Sequence, residues 1–183
     1  GALVVAYPYG NNPAGVSTYT AAPDDSLYVH LAGSYADTNQ PMRDSTVFPG
    51  GIVNSAEWYL ANGEMPDWCY RYAGSISMTV ELSNTKTPQA GLLDGLWEDN
   101  RDSMLGFITD VQTGIGGRVL ENETGLPMEV RVAVEGIDRE VFSSPTLGDY
   151  HRPLLPGSYD LSFLCPGFDS QHSNDVSLGT ETH

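Results

Sequence analysis

Residues 1–111 of this 183-residue chain read as a mixed α/β region, and residues 112–183 read as all-β. Three patterns carry that division. Leu27, Leu31 and Tyr35 recur at helical spacing, and so do Leu96, Met104, Leu105, Ile108 and Val111. Between these runs Ile76, Met78, Val80 and Leu82 alternate with Ser77, Thr79 and Glu81, the period of a strand with one apolar face. Beyond Gln112, short alternating runs are punctuated by turn residues, the texture of a β-sandwich.

The elements follow in order. The apolar opening, residues 1–7, reads as a core strand that ends at Tyr7-Pro8-Tyr9-Gly10. Residues 11–23 form a Gly/Pro/Asn-rich loop. Pro23, Asp24, Asp25 and Ser26 then supply helix-start chemistry, acids in a first turn opposing the positive end of the helix dipole. That helix stops at Asn39-Gln40-Pro41, and residues 42–51 read as a loop. An aromatic-rich segment containing Trp58, Tyr59, Trp68 and Tyr70 leads to the strand predicted over 75–82. A second helix is predicted over 96–111, and both helical stripes are expected to face the core. In the β region Val130, Val132 and Val134 alternate with Arg131 and Ala133. Tyr159, Leu161, Phe163 and Cys165 alternate with Asp160, Ser162 and Leu164. Turns fall at 122–125, 147–149 and Pro156-Gly157.

Composition excludes some functions. The chain carries 24 acidic residues against 8 basic ones, a formal net charge of −16, and Lys86 is its one lysine. Nucleic acid and anionic membrane surfaces both demand a basic patch and are excluded as partners. No apolar run approaches the roughly 18 residues of a membrane span, and residues 1–7 lack the basic lead and small-residue cleavage site of a signal peptide. Cys69 and Cys165 are too few for a disulfide framework and have no CxxC partner. Asn122-Glu123-Thr124 fits a glycosylation acceptor, a common tripeptide.

Several catalytic templates fail: there is no GxSxG, Walker loop, GxGxxG or HExxH. His30, His151, His172 and His183 are scattered, and none is expected to ligate a metal. Glu81 stands out. Its place on the polar face of an amphipathic strand allows two readings, a solvent-exposed carboxylate or one delivered by a rigid strand into a small-residue cleft. The aromatic and polar groups at Trp58-Tyr59 and Asp67-Trp68-Cys69-Tyr70 favour the cleft.

Residues 50–70, GGIVNSAEWYLANGEMPDWCY, followed by Met78-Thr79-Val80-Glu81-Leu82-Ser83, resemble the C-terminal half of a zinc metallocarboxypeptidase of the regulatory branch, which includes carboxypeptidases D, E, M and N. The opening ALVVAYPY at 2–9 is similar to the strand that follows that family's last zinc histidine, and NRDSMLGFI at 100–108 to its closing helix. GDYHRPLLPGSY at 148–159 resembles the appended transthyretin-like sandwich. The resemblance implies a carboxypeptidase-like α/β half domain with a mixed sheet over 1–111, then a transthyretin-like sandwich over 112–183. It also implies a secreted, extracellular or periplasmic hydrolase that removes C-terminal residues from peptides and proteins.

Carried over by position, Glu81 matches the family's catalytic general base and acid, and Tyr59 the mobile tyrosine that closes over substrate. Thr79 and Pro66 match positions lining the pocket for the substrate's C-terminal side chain, and Asp67 and Trp68 a scaffold pair. The resemblance also implies zinc in the parent protein. The matching zinc ligands and substrate-clamping arginines fall upstream of Gly1, so no metal ligand is assigned here and the chain is expected to be an inert fragment. Members that remove Lys or Arg carry a glutamine where this chain has Pro66 and tend to carry an acid where it has Gly10. A basic preference and a neutral one therefore both stay open. Ser75 and Asn84 stand near where animal members place disulfide cysteines. The alternative reading is a non-catalytic carboxypeptidase-like binding protein.

Overall fold

In the computed structural model, which describes residues 1–179, the chain divides into two units, one ending at Val111 and one beginning at Gln112. The first is built on β1 (Ala2–Tyr7), whose apolar residues are buried almost without interruption. That is the pattern of a central strand covered on both faces. Helix α1 (Asp25–Asp37) follows, then a single turn α2 (Gln40–Arg43) capped by the Asn39 side chain. Strand β2 (Ile52–Asn54) leads into α3 (Ser55–Trp58) and α4 (Met65–Tyr72). Strand β3 (Thr79–Ser83) precedes the long helix α5 (Leu93–Asp110). The sheet order is β2–β1–β3, with β2 parallel and β3 antiparallel to β1.

Helix α1 buries Leu27, Tyr28, Leu31, Ala32, Tyr35 and Ala36, so its predicted stripe faces the core. Its start is tied to α4: the Tyr70 hydroxyl donates to the Asp24 carboxylate at 2.9 Å and accepts from the Asp24 amide at 3.0 Å. Tyr28 and Tyr70 meet edge to face at 5.3 Å inside one cluster with Val5, Tyr7, Ala22 and Met42. His30 lies on the exposed side of α1.

Three expectations for this unit are corrected. The strand predicted over 75–82 begins only at Thr79; Ile76 and Met78 still pack on the core, but from irregular chain after Gly74. Segment 42–51 is not wholly loop, since it ends in a 3₁₀ turn at Pro49–Gly51. Most consequentially, the apolar stripe of α5 does not face the core. Leu105 and Ile108 are 59% and 57% exposed, whereas Asn100 and Ser103 are buried. Phe107, outside the predicted stripe, packs on the core from α5, and beside it the α1–α5 contact is polar: Tyr35 and Asn39 both donate to Asn100 Oδ1 at 3.0 Å, and Thr38 and Ser103 share a hydroxyl bond at 2.8 Å. Hydrogen-bonding groups satisfied across a helix pair can be buried at little net cost, and here they claim the face that the apolar residues were expected to take.

The described residues of the second unit form strands, turns and connecting loops. Strands β4 (Gly114–Arg118), β5 (Arg131–Val134), β6 (Ile137–Phe142), β7 (Asp149–Pro153), β8 (Gly157–Leu164) and β9 (Gln171–Leu178) form two antiparallel sheets, β4–β7 and β6–β5–β8–β9. Val132 and Val134 are buried while Arg131 is exposed, as their alternation predicts. Val134, Leu154 and Leu161 centre a cluster joined by Ile115, Phe163 and Val176. A register shift between Tyr159 and Leu161 sits opposite Asp175, whose positive φ of 54° is accompanied by a 2.9 Å bond from its amide to Asp160 Oδ1. Cys69 and Cys165 are both free thiols.

Candidate active site

The scaffold of the site is held by Asn54, a fully buried amide at the end of β2. Its Nδ2 donates to the carbonyls of Pro8 at 3.2 Å and Thr20 at 3.1 Å. Its Oδ1 accepts from the amides of Thr20 at 3.0 Å and Glu57 at 3.3 Å, the latter capping α3. One side chain thus fixes the turn after β1, the 18–20 loop and the start of α3. Two more bonds join these segments: Ala56 donates to the Tyr9 carbonyl and Ala61 to the Gly10 carbonyl, each at 2.9 Å.

Glu81 and Thr79 sit two residues apart on β3, in register with Val4 and Ala6 of β1, and so project to the same side of the sheet. Thr79 is exposed and Glu81 half-buried. Glu81 borders a hollow of about 420 Å³ whose walls include Leu82, Lys86, Leu93, Trp97 and Met104. This hollow is not the small-residue cleft expected beside Glu81: large apolar side chains of α5 form its walls, and none of Trp58, Tyr59, Asp67 or Trp68 lines it. Leu82, expected on the buried face, is exposed on its rim.

Tyr59 ends α3 with an extended backbone and a side chain 51% exposed. Its ring stands edge to face with Trp58 at 4.9 Å, and Trp58 does the same with Phe48 at 5.0 Å. Pro66 is buried in the first turn of α4, the position where proline's missing N–H costs nothing. Asp67, next to it, accepts both its bonds from the Gly10 amide, at 3.2 and 3.1 Å. Tyr59 and Pro66 are thus brought to the Gly10 turn, just beyond the end of β1 opposite Thr79, while Glu81 stands farther back along β1 opposite Val4. Burial pushes the carboxyls of Glu64 and Asp67 above the ordinary range; the charge of Asp67 adds to the shift at Glu64, and the Gly10 amide partly offsets it at Asp67.

Among the described residues no three His, Cys, Asp or Glu side chains converge as a group that could hold a metal ion. His172 Nδ1 bonds the Ser162 hydroxyl at 3.0 Å on neighbouring strands, and His183 lies outside the described residues. These residues do not fit a zinc ion, so no chemical step on this chain is routed through one.

Sequence reasoning missed Asn54, Asn100 and Glu64. Asn54 was legible: Asn54-Ser55-Ala56-Glu57 has the spacing of a capping box before a short helix. Asn100 had no local signal, because its partners Tyr35 and Asn39 lie about sixty residues away.

Residues 1–103 match the model of the family described as zinc carboxypeptidase. The chain belongs to that family. It is 38% identical to carboxypeptidase SOL1 of Arabidopsis thaliana over 98% of its own length and 37% of that protein's. It is 36% identical to carboxypeptidase D of Rattus norvegicus, covering 96% of this chain and 14% of that one. It is 37% identical to carboxypeptidase M of Mus musculus, covering 93% and 41%. These relatives place the chain in the regulatory branch of the family, and it spans less than half the length of each.

Proposed function

We propose that this chain is part of a secreted zinc carboxypeptidase that hydrolyses the last peptide bond of peptides and proteins. In this reading residues 1–111 complete a catalytic domain whose zinc and zinc ligands belong to the rest of the longer protein, and residues 112–183 are its transthyretin-like sandwich. Glu81 serves as general base and acid, Tyr59 closes over the substrate, and Thr79 and Pro66 line the pocket for the C-terminal side chain. The observation that supports it most is the position of Glu81, half-buried on a strand and facing open space, in a segment that belongs to a carboxypeptidase family. A carboxylate so placed can take a proton from an attacking water and return it to the leaving amine. The β2–β1–β3 sheet, with edges at β2 and β3, suits a portion of a larger mixed sheet. No helix among the described residues is long and apolar enough to cross a membrane, compatible with an enzyme that meets peptides in solution.

The test is the full-length protein assayed on short peptides, with and without a chelator. Cleavage from the C-terminus that is lost with chelator supports the reading. Glu81→Gln should lower kcat by about 10²- to 10⁴-fold, the usual contribution of a positioned acid–base. A zinc-loaded protein that binds peptides without cutting them would instead make this a binding protein. The 183-residue chain alone, given zinc, should be inert.

A further inference from the structure

Gly10 and the start of α4 interlock in a way that the backbone does not require. Gly10 has no positive φ, so its turn could accept any residue. What the glycine provides is room. A β-carbon built there would overlap the Glu64 carboxylate, at 2.6 Å from Cδ and 3.3 Å from Cγ. The end of the Glu64 side chain therefore occupies the space of a side chain at position 10.

Glu64 is in the N-cap position of α4 yet makes no capping bond; its carboxylate turns to Gly10 instead. It is half-buried, beside a second half-buried carboxylate, Asp67, whose oxygens are taken up by the Gly10 amide. Among the described residues no lysine or arginine pairs with either carboxylate. Desolvation without a counter-charge raises the carboxyl pKa of Glu64. An arriving cation would recover that cost as a charge-assisted hydrogen bond.

We propose that Glu64, reaching over Gly10, is the specificity-determining carboxylate for a basic C-terminal side chain, supplied from α4 rather than from the end of β1. This rests on the carboxypeptidase reading above, and it gives a physical reason to prefer the basic alternative that Gly10 alone argues against.

The experiment uses the full-length, zinc-loaded protein and two peptide series identical except for a terminal Arg or Leu. The wild type should favour Arg in kcat/KM. Glu64→Gln should lower that Arg-to-Leu ratio by about 10- to 100-fold, the worth of a hydrogen bond to a charged group. The double variant Gly10→Asp/Glu64→Gly, which moves the acid to the other side of the same space, should restore the ratio. Gly10→Asp alone, which forces the new side chain against Glu64, should not raise the ratio above that of the wild type. A wild type that favours Leu, or a ratio unmoved by Glu64→Gln, overturns the assignment of Glu64 while leaving the carboxypeptidase reading intact. Failure to cleave either series overturns both.

Discussion

Helices α1 and α5 pack on one another in the same unit, and both carry an apolar stripe at helical spacing, yet they bury opposite chemistry. Helix α1 buries leucine, alanine and tyrosine, and its Tyr28, Ala32, Tyr35 and Ala36 join the cluster around Val5 and Tyr7 of the sheet. Helix α5 turns Asn100 and Ser103 inward and leaves Leu105, Ile108 and Trp97 in solvent, Trp97 at 53% exposure. A helical period fixes which residues share a face, but it does not say which face the neighbouring elements cover. On α1 the stripe found the sheet. On α5 its Leu96 and Met104 border the hollow beside Glu81 while Leu105 and Ile108 lie exposed, so the two helices divide the unit into a closed core and an open face.

The comparison breaks first if the closed core proves soft. Leu31, 1% exposed on α1, should cost about 2–5 kcal/mol when cut to alanine, through lost burial and the cavity left behind. Urea denaturation of the chain checks this; a loss comparable with that of a surface substitution would mean that the α1 face is not packed as described. The polar seam between the helices comes next. Asn100→Leu keeps the volume but leaves the Tyr35 hydroxyl and the Asn39 amide without their shared acceptor. A loss of about 1–3 kcal/mol is expected, the cost of an unsatisfied buried group. A neutral or stabilising result would show that α5 prefers an apolar contact with α1 and that the polar seam is incidental.

How much could be read in advance follows the same division. Helix α1 was legible because start, stripe and stop agree: Asp25 in the first turn, a run facing one way, and Asn39-Gln40-Pro41 as terminator. Membership of the mixed-sheet family was legible because Gly50 to Tyr70 and Met78 to Ser83 hold a joint pattern that no short motif carries. Strand β2 and helix α3, three and four residues long, are too short to show a period. Helix α4 has Pro66 and Asp67 in its first turn, but in eight residues it buries only Pro66 and Tyr70 and its N-cap Glu64 makes no capping bond, too little for a helical stripe to show. The inward turn of Asn100 and the reach of Glu64 to Gly10 were out of range of local reading. Each depends on residues more than fifty positions away, where only the folded backbone makes the contact.

The smallest expected effect sharpens the comparison most. Leu105→Ala, on the open face of α5, removes a side chain 59% exposed and should change the stability of this chain by no more than about 0.5 kcal/mol. The same substitution in the full-length protein is expected to behave differently if the rest of the catalytic domain lies over α5. A leucine buried by that contact would cost about 2–5 kcal/mol, as Leu31 does on the closed side. Chemical denaturation of both forms gives the two losses directly. Equal small losses would mean that the face stays open in the longer protein. A large loss in the longer form alone would show that the stripe on α5 is a core face after all, one whose partner lies elsewhere in the protein.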